Sequence, residues 1–456
     1  MSEKRERPFP AGGILLPMEQ LDPIACYRAL QTRDARFDGR IFVGVTSTGI
    51  YCRPVCPART AKFENCRWYR SAAGAQEAGF RPCLRCRPET APDLGAWRGT
   101  SNTVTRGLAL IAEGALDGDE AGVDRLAERL GVGGRQLRRL FQQHLGASPI
   151  AVAQTRRVLF AKQLIHDTRM PMTEIALAAG FGSVRRFNEI FQALFRRPPS
   201  ALRRKAVQAL PEGSVAETGV VLRLRYRPPY DWPAMLAFLG SRAIDGVEQA
   251  TGDGYRRTVQ HDGALGTIEV SDLPERQSLV ATIRFPNVTA LPVLVAGLRR
   301  VFDLAADVAT IGAHLAQDPL LAPLVAERPG LRAPGSWSGF ERAVRALSDR
   351  HLASQLVGLC AITVPIEQRI DPALTLGFPT PDQVLASDLR PLARRIDLIA
   401  LAQAHRSRPP GDAIPAGDIG PTMLDGALAR RAEPWRAYAA QHLWAANPAA
   451  LKRSLR

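Results

Sequence analysis

Four cysteines stand at a spacing that can hold a metal and do nucleophilic chemistry. Cys52 and Cys56 lie in "YCRPVC", and Cys83 and Cys86 in "CLRC". C-x3-C followed by C-x2-C can close a tetrahedral site of four thiolates around one Zn2+. Such a site is either an inert staple or a reactive centre. Coordinated thiolates stay ionised at neutral pH, and the thiolate is the nucleophilic form. Four of them on Zn2+ leave a net charge of about −2. A sulfur of this kind can attack an electrophilic methyl group in line, become a neutral thioether, and leave the site one negative charge lighter. Arg53, Arg59, Lys62, Arg67, Arg70, Arg81, Arg85 and Arg87 surround the cysteines in sequence. Each is either a phosphate contact or a solvated surface charge. Cys26, Cys66 and Cys360 lie outside the metal spacing and read as ordinary small residues. Seven cysteines with four at metal spacing fit a reducing cytoplasm better than a disulfide framework.

These cysteines need a scaffold and a target. The chain has 456 residues, enough for several cores, and a formal net charge of +16. Residues 1–205 hold 33 Lys/Arg and 19 Asp/Glu, a net of +14, while 206–456 hold 27 and 25, a net of +2. A polyanion partner is therefore expected at the N-terminal half. No apolar run is long enough to span a membrane, and "MSEKRERPFP" has no signal-peptide core. The stretches 89–102 and 208–219 read as linkers. "VVLRLRY" (220–226), "GTIEV" (266–270) and "LVATIRF" (279–285) read as strands, and 232–241 as a helix. After Leu291 the pattern is helical, with Pro-rich joints.

Between the linkers the pattern is helical throughout. "VDRLAERLGVGGRQLRRLFQQHLGASP" from Val123 and "MTEIALAAGFGSVRRFNEIFQALFRRPPSALRR" from Met172 each give an apolar helix, a Gly-containing turn and a polar, basic second helix. That is a helix-turn-helix, twice. Leu126, Leu130, Leu137 and Leu140, and then Ile175, Phe187 and Phe191, are expected in the core. Arg135, Gln136, Arg138 and Arg139, and likewise Ser183, Arg185, Arg186 and Asn188, are expected on faces that enter the major groove or grip phosphates.

Resemblances sharpen these readings. "FDGRIFVGVTSTGIYCRPVCPART" and "ENCRWYRSAAGAQEAGFRPCLRCRPE" resemble the N-terminal domain of the Ada family of adaptive-response proteins, over about residues 20–90. The resemblance implies a single-turnover methyl transfer from a DNA methylphosphotriester to the first cysteine of the first pair, Cys52. It also implies that methylation strengthens DNA binding and transcriptional activation, with RNA polymerase as a partner. Residues 105–205 resemble the AraC-type DNA-binding domain.

The C-terminal half resembles AlkA-type alkyladenine glycosylases. "LRLRYRPPYDWPAMLAFLGSRAIDGVEQATGDGYRRTV" resembles their small N-terminal domain, and "FPTPDQVLASDL", "DAIPAGDIG" and "RRAEPWRAYAAQHLW" resemble pieces of their helical domain. By that resemblance Asp418 is the carboxylate that stabilises an oxocarbenium-like state beside a flipped base. The helix-hairpin-helix with its Gly-rich turn is missing ahead of Asp418, and "LSDRHLAS" replaces the usual wedge loop. An active glycosylase and a degenerate DNA-holding domain both remain open. A second alkyltransferase motif, P-C-H-R, is absent from the chain.

The expected fold is multidomain and mainly α with α+β parts. It comprises a zinc-bound α+β domain (1–92), a double helix-turn-helix domain (103–205), a small α+β sheet domain (219–290) and a shortened helical domain (291–456). The expected function is that of an alkylation-responsive repair protein and regulator acting on double-stranded promoter and alkylated DNA, in the bacterial cytoplasm and nucleoid. The alternative adds DNA-3-methyladenine glycosylase activity through Asp418. A third reading is a pure binding module with a structural zinc.

Overall fold

The computed structural model describes residues 21–91, 102–117, 122–203, 219–252, 254–347, 350–406, 428, 431–433 and 435–446. The first and second linkers fall largely outside the described residues.

The first unit begins with α1 (Pro23–Gln31), capped by Asp22, whose side chain accepts the Ile24 N–H. Short apolar runs then make β1 (Phe42–Val45), β2 (Ile50–Cys52), β3 (Cys66–Tyr69) and β4 (Arg81–Pro82). Helix α2 (Ala72–Glu77) lies between β3 and β4. The sheet order is β3-β1-β2-β4, with β2 and β4 parallel and the other pairs antiparallel. Gly44 sits at the centre of β1 because a Cβ there would come 2.9 Å from the Phe80 ring. The β2–β4 pairing brings Cys52 beside Cys83.

The helical block holds α3 (Asn102–Ala112), α4 (Val123–Arg129), α5 (Gly134–Leu145), α6 (Pro149–Asp167), α7 (Met172–Ala178) and α8 (Val184–Phe195). The α4–α5 and α7–α8 pairs repeat one design. Leu137, Phe141 and Leu145 line the buried face of α5, and Phe187, Phe191 and Phe195 the buried face of α8. Gly180 makes the second turn at φ +81, a conformation that L side chains avoid. Of the expected core residues, Leu126, Leu130, Leu137, Ile175, Phe187 and Phe191 are buried. Leu140 is only half-buried, because it lies at the edge of the α5 apolar stripe.

The C-terminal half opens with β5 (Val220–Arg225), then α9 (Trp232–Ser241). Strands β6 (Glu248–Ala250), β7 (Gly254–His261), β8 (Ala264–Leu273) and β9 (Ser278–Arg284) follow. They form an antiparallel sheet in the order β5-β9-β8-β7-β6. The sequence pattern marks β5, the middle of β8, β9 and α9, but not β6 and β7. In β7 the residues do not alternate cleanly, and Arg257 is buried against Glu341 of the distant helix Gly339–Leu347 at 2.9 Å. Helices α10 (Leu291–Val301) and α11 (Val308–Leu315) start the helical remainder, whose last described helix is Arg436–Ala446.

One apolar core runs from α6, α7 and α8 through the five-stranded sheet into α10, joining Phe187 and Phe191 to Leu222, Ile268 and Leu294. Arg300 of α10 also pairs with Glu113, just past α3, at 3.2 Å. Cys26, Cys66 and Cys360, which the sequence left open between core and surface, are buried. Among the described residues no helix is long and apolar enough to cross a membrane.

Candidate zinc centre and DNA-facing helices

Cys52 ends β2, Cys56 follows on a turn closed by its own N–H to the Arg53 carbonyl at 3.1 Å, and Cys83 follows β4. The Cys83 N–H bonds to the carbonyl of fully buried Tyr51 at 3.0 Å, which fixes one pair against the other. The sulfurs of Cys52, Cys56, Cys83 and Cys86 all lie within 4.8 Å of one another. Four sulfurs at about 2.3 Å from a central Zn2+ would stand about 3.8 Å apart, so the cluster fits that ion with little adjustment.

The donor set itself demands a cation. Crowded together, the thiols cannot all ionise alone. Hydrogen bonding to Cys56 pushes the Cys52 thiol up, while the bond with Cys52 pushes the Cys83 thiol down. The four cysteines are a site for one Zn2+.

The four ligands are not equivalent. Cys56, Cys83 and Cys86 are buried, while Cys52 is partly open to solvent. Backbone N–H groups reach two of the sulfurs: Arg53 N–H points at Cys86 Sγ (3.4 Å) and Arg85 N–H at Cys83 Sγ (3.3 Å). The sulfurs of Cys52 and Cys56 receive no such bond among the described residues, and of these two only Cys52 is partly open.

The basic residues near the site divide sharply. Arg53 is no phosphate contact: it is buried, its guanidinium gripping Asp38 (Nε to Oδ1 2.7 Å) and donating to the Cys86 carbonyl at 3.0 Å and Thr90 at 2.7 Å. Arg87 is likewise committed, to Glu89 and Asp167 at 3.0 Å each. Arg70 reaches the Gln143 carbonyl at 3.2 Å, and Arg67 bonds the Glu64 and Cys66 carbonyls. Arg59, Lys62, Arg81 and Arg85 form no ion pair among the described residues.

Sequence spacing gave no sign of a buried charge cluster behind the knuckle of Cys83 and Cys86. Lys162 of α6 is fully buried and donates to the Cys83 carbonyl at 3.0 Å and to Glu89 at 2.7 Å. Burial opposes ionisation of Glu89, but Lys162, His166 and Arg87 together prevail and hold its carboxyl at about 2.

Arg135, Gln136, Arg138 and Arg139 project into solvent from α5, and Arg185, Arg186 and Asn188 from α8. Ser183 is exposed too, but its hydroxyl accepts the Arg186 N–H at 3.1 Å and so caps α8. Arg138 touches Asp124 at 3.5 Å and Arg185 touches Glu189 at 2.8 Å, weak exposed pairs that a phosphate can replace. Asp418 lies outside the described residues.

A zinc–thiolate module with one open sulfur, fused to a double helix-turn-helix with basic outer faces, defines a metal-dependent DNA-binding regulator. A family model for the metal binding domain of Ada matches residues 25–89, one for a helix-turn-helix domain 126–205, and one for the AlkA N-terminal domain 221–338. The probable bifunctional transcriptional activator/DNA repair enzyme AlkA of Mycobacterium tuberculosis is 34% identical over 477 residues, covering 92% of this chain and 95% of that protein. The chain belongs to this Ada/AlkA family of bifunctional transcriptional activators and DNA repair enzymes. The bifunctional transcriptional activator/DNA repair enzyme Ada of Escherichia coli is 33% identical over 34% of this chain and 42% of its own length. DNA-3-methyladenine glycosylase 2 of the same organism is 30% identical over 40% of this chain and 66% of its own. Among solved structures, the crystal structure of the methylated N-ADA/DNA complex is 32% identical and covers 30% of this chain and 99% of that chain, with a TM-score of 0.16.

Proposed function

We propose that Cys52 accepts a methyl group from a DNA methylphosphotriester, once per molecule, and that the modified protein binds its promoter DNA more tightly. The observation that carries this reading is the inequality of the four sulfurs: Cys52 alone is partly open, and the backbone N–H bonds to sulfur fall on Cys83 and Cys86. Zn2+ bound by Cys52, Cys56, Cys83 and Cys86 keeps the sulfurs deprotonated at neutral pH. The Cys52 Sγ lone pair attacks the methyl carbon. The C–S bond forms as the C–O bond breaks, and the electron pair of that bond leaves on the phosphate oxygen. A neutral triester becomes a phosphodiester anion, and no proton moves. Arg59, Lys62, Arg81 and Arg85 are placed to hold neighbouring phosphates. Transfer lowers the negative charge beside the DNA by one, which weakens phosphate repulsion.

Arg135, Gln136, Arg138 and Arg139 in one unit, and Arg185, Arg186 and Asn188 in the other, would read bases or phosphates, with Ser183 setting the start of α8. On this reading the protein acts as a DNA-bound activator, for which we infer RNA polymerase as a partner and the cytoplasm, on the nucleoid, as its location. We divide the chain at 1–92, 103–205, 219–290 and 291–456, the last two sharing a core with the helical block.

Mass spectrometry of the full-length protein after exposure to methylated DNA tests the reading. A gain of one methyl on Cys52, lost in Cys52→Ala, supports it; an unmodified wild type overturns it. The likeness to AlkA glycosylases favours a second activity, base excision through Asp418. Release of free alkylated base, abolished in Asp418→Asn, is the outcome that establishes it.

A further inference from the structure

The zinc centre is held from the C-terminal half. Arg227, just past β5, is nearly buried and donates through one terminal nitrogen to Asp307 at 2.9 Å. Its other terminal nitrogen donates to the carbonyls of Ala35 (3.2 Å), Arg36 (2.8 Å) and Asp38 (2.7 Å). Asp307, which caps α11, also receives Arg40 of the zinc unit. Asp38 in turn grips Arg53 through both carboxylate oxygens. Arg53 donates its side chain to the Cys86 carbonyl and its backbone N–H to the Cys86 sulfur. Asp307, Arg227, Asp38, Arg53 and Cys86 thus form one continuous chain of polar contacts, buried at Asp307, Asp38 and Arg53 and partly buried at Arg227.

Buried charges of this kind are costly to move. Asp38, Arg53 and Asp307 are each more than nine-tenths buried. Each keeps its position only while its partner keeps its own, because an unpaired buried ion costs several kcal/mol. Partners one shell out commonly set metal affinity by orienting the ligands. The chain ends on Cys86, a ligand other than the proposed acceptor, and makes no side-chain contact with the Cys52 sulfur, although Arg53 follows Cys52 directly in the sequence.

We propose that Arg227 and Asp307 are positioning residues for the zinc centre, so that the glycosylase-like half is a working part of the metal site. The inference deepens the methyl-acceptor reading and rests on it only for the consequence that a looser Cys86 slows methyl transfer.

The test uses the full-length zinc protein. Zinc release to a chelating dye is timed for wild type, Arg227→Met, Arg227→Lys and Asp307→Asn. The Co2+-substituted forms are compared by absorption, which reports the four-sulfur geometry. Arg227→Met and Asp307→Asn are expected to release zinc faster by about tenfold or more and to shift the Co2+ bands, with Arg227→Lys between them and wild type. Asp307→Asn is nearly isosteric and decides alone if the methionine variant does not fold. Glu341→Gln, in the separate buried pair with Arg257, is the control: it weakens the same half without touching the chain of contacts. Wild-type release and spectra in both Arg227→Met and Asp307→Asn overturn the proposal. So does equal acceleration by Glu341→Gln, which would mean that loss of stability alone is responsible. Wild-type protein that gains no methyl would sink the acceptor reading while leaving the release comparison valid.

Discussion

Lys162 donates to the carbonyl oxygen of Cys83 at 3.0 Å, so a ligand of the zinc centre and the long helix of the DNA-binding block share a hydrogen bond. The bond is sealed from water, since Lys162 and its ion-pair partner Glu89 are both buried. The two units also meet where the Ser71 hydroxyl donates to the Leu145 carbonyl at 2.7 Å. A change of charge at the cysteines therefore acts directly beside the DNA-binding block.

Removing one member of the buried pair should cost much more than removing both. Lys162→Met leaves Glu89 ionised without its main partner, and about 3–5 kcal/mol of stability should be lost. Adding Glu89→Gln should recover part of it. Chemical denaturation of the single and double variants gives the comparison.

Acid should release the same junction in a defined window. The Glu89 carboxyl is held at about 2, below its ordinary value of 4.5, so its contribution is present above pH 4.5 and lost as pH falls from there towards 2. Hydrogen exchange in α6 across that range should rise in wild type, and Glu89→Gln should flatten the dependence.

Substitutions on the helix-turn-helix faces should separate binding from folding. Arg135→Ala, Arg139→Ala and Arg186→Ala should leave the melting curve unchanged and weaken DNA binding. The salt dependence should fall by about one unit for every phosphate that the removed side chain had gripped. Phe187→Ala, from the buried face of α8, should instead cost about 3–5 kcal/mol. Ser183→Ala should cost about 1 kcal/mol through the missing cap. Binding isotherms at several salt concentrations, beside thermal melts, distinguish the three.

In the C-terminal half, Asp303 should make stability fall as pH rises. Burial pushes its carboxyl up to about 6, with Arg332 opposing, while Tyr438 O–H and Ala333 N–H donate to one of its oxygens. The unfolded chain ionises from about pH 4, so between there and pH 6 the folded state holds more protons and loses on the order of 3 kcal/mol. Asp303→Asn keeps an acceptor for both donors and should remove that slope. Unfolding free energies of wild type and variant from pH 4 to 8 are the measurement.

The cysteine pairs, the repeated helix-turn-helix, β5, β9 and α9 were legible in the sequence because each is written in local spacing. A metal knuckle needs two or three residues between ligands, a helix face recurs every three or four, and a half-buried strand alternates. Strands β6 and β7 escaped, since Arg257 breaks the alternation and is accommodated only by Glu341 from a distant helix. The sequence likewise marked eight basic residues near the cysteines without ranking them. The fold withdrew Arg53 and Arg87 by pairing them inward and left Arg59, Lys62, Arg81 and Arg85 without an ion pair among the described residues. It also made Cys52 the open sulfur and placed Lys162 and Arg227 behind the zinc ligands. Arg227 and Asp38 are 189 positions apart, and nothing in either local stretch points to the other. Periodicity is a property of the backbone and is repeated in every segment, whereas the partner that neutralises a buried charge is chosen by packing, and packing exists only once the chain has folded.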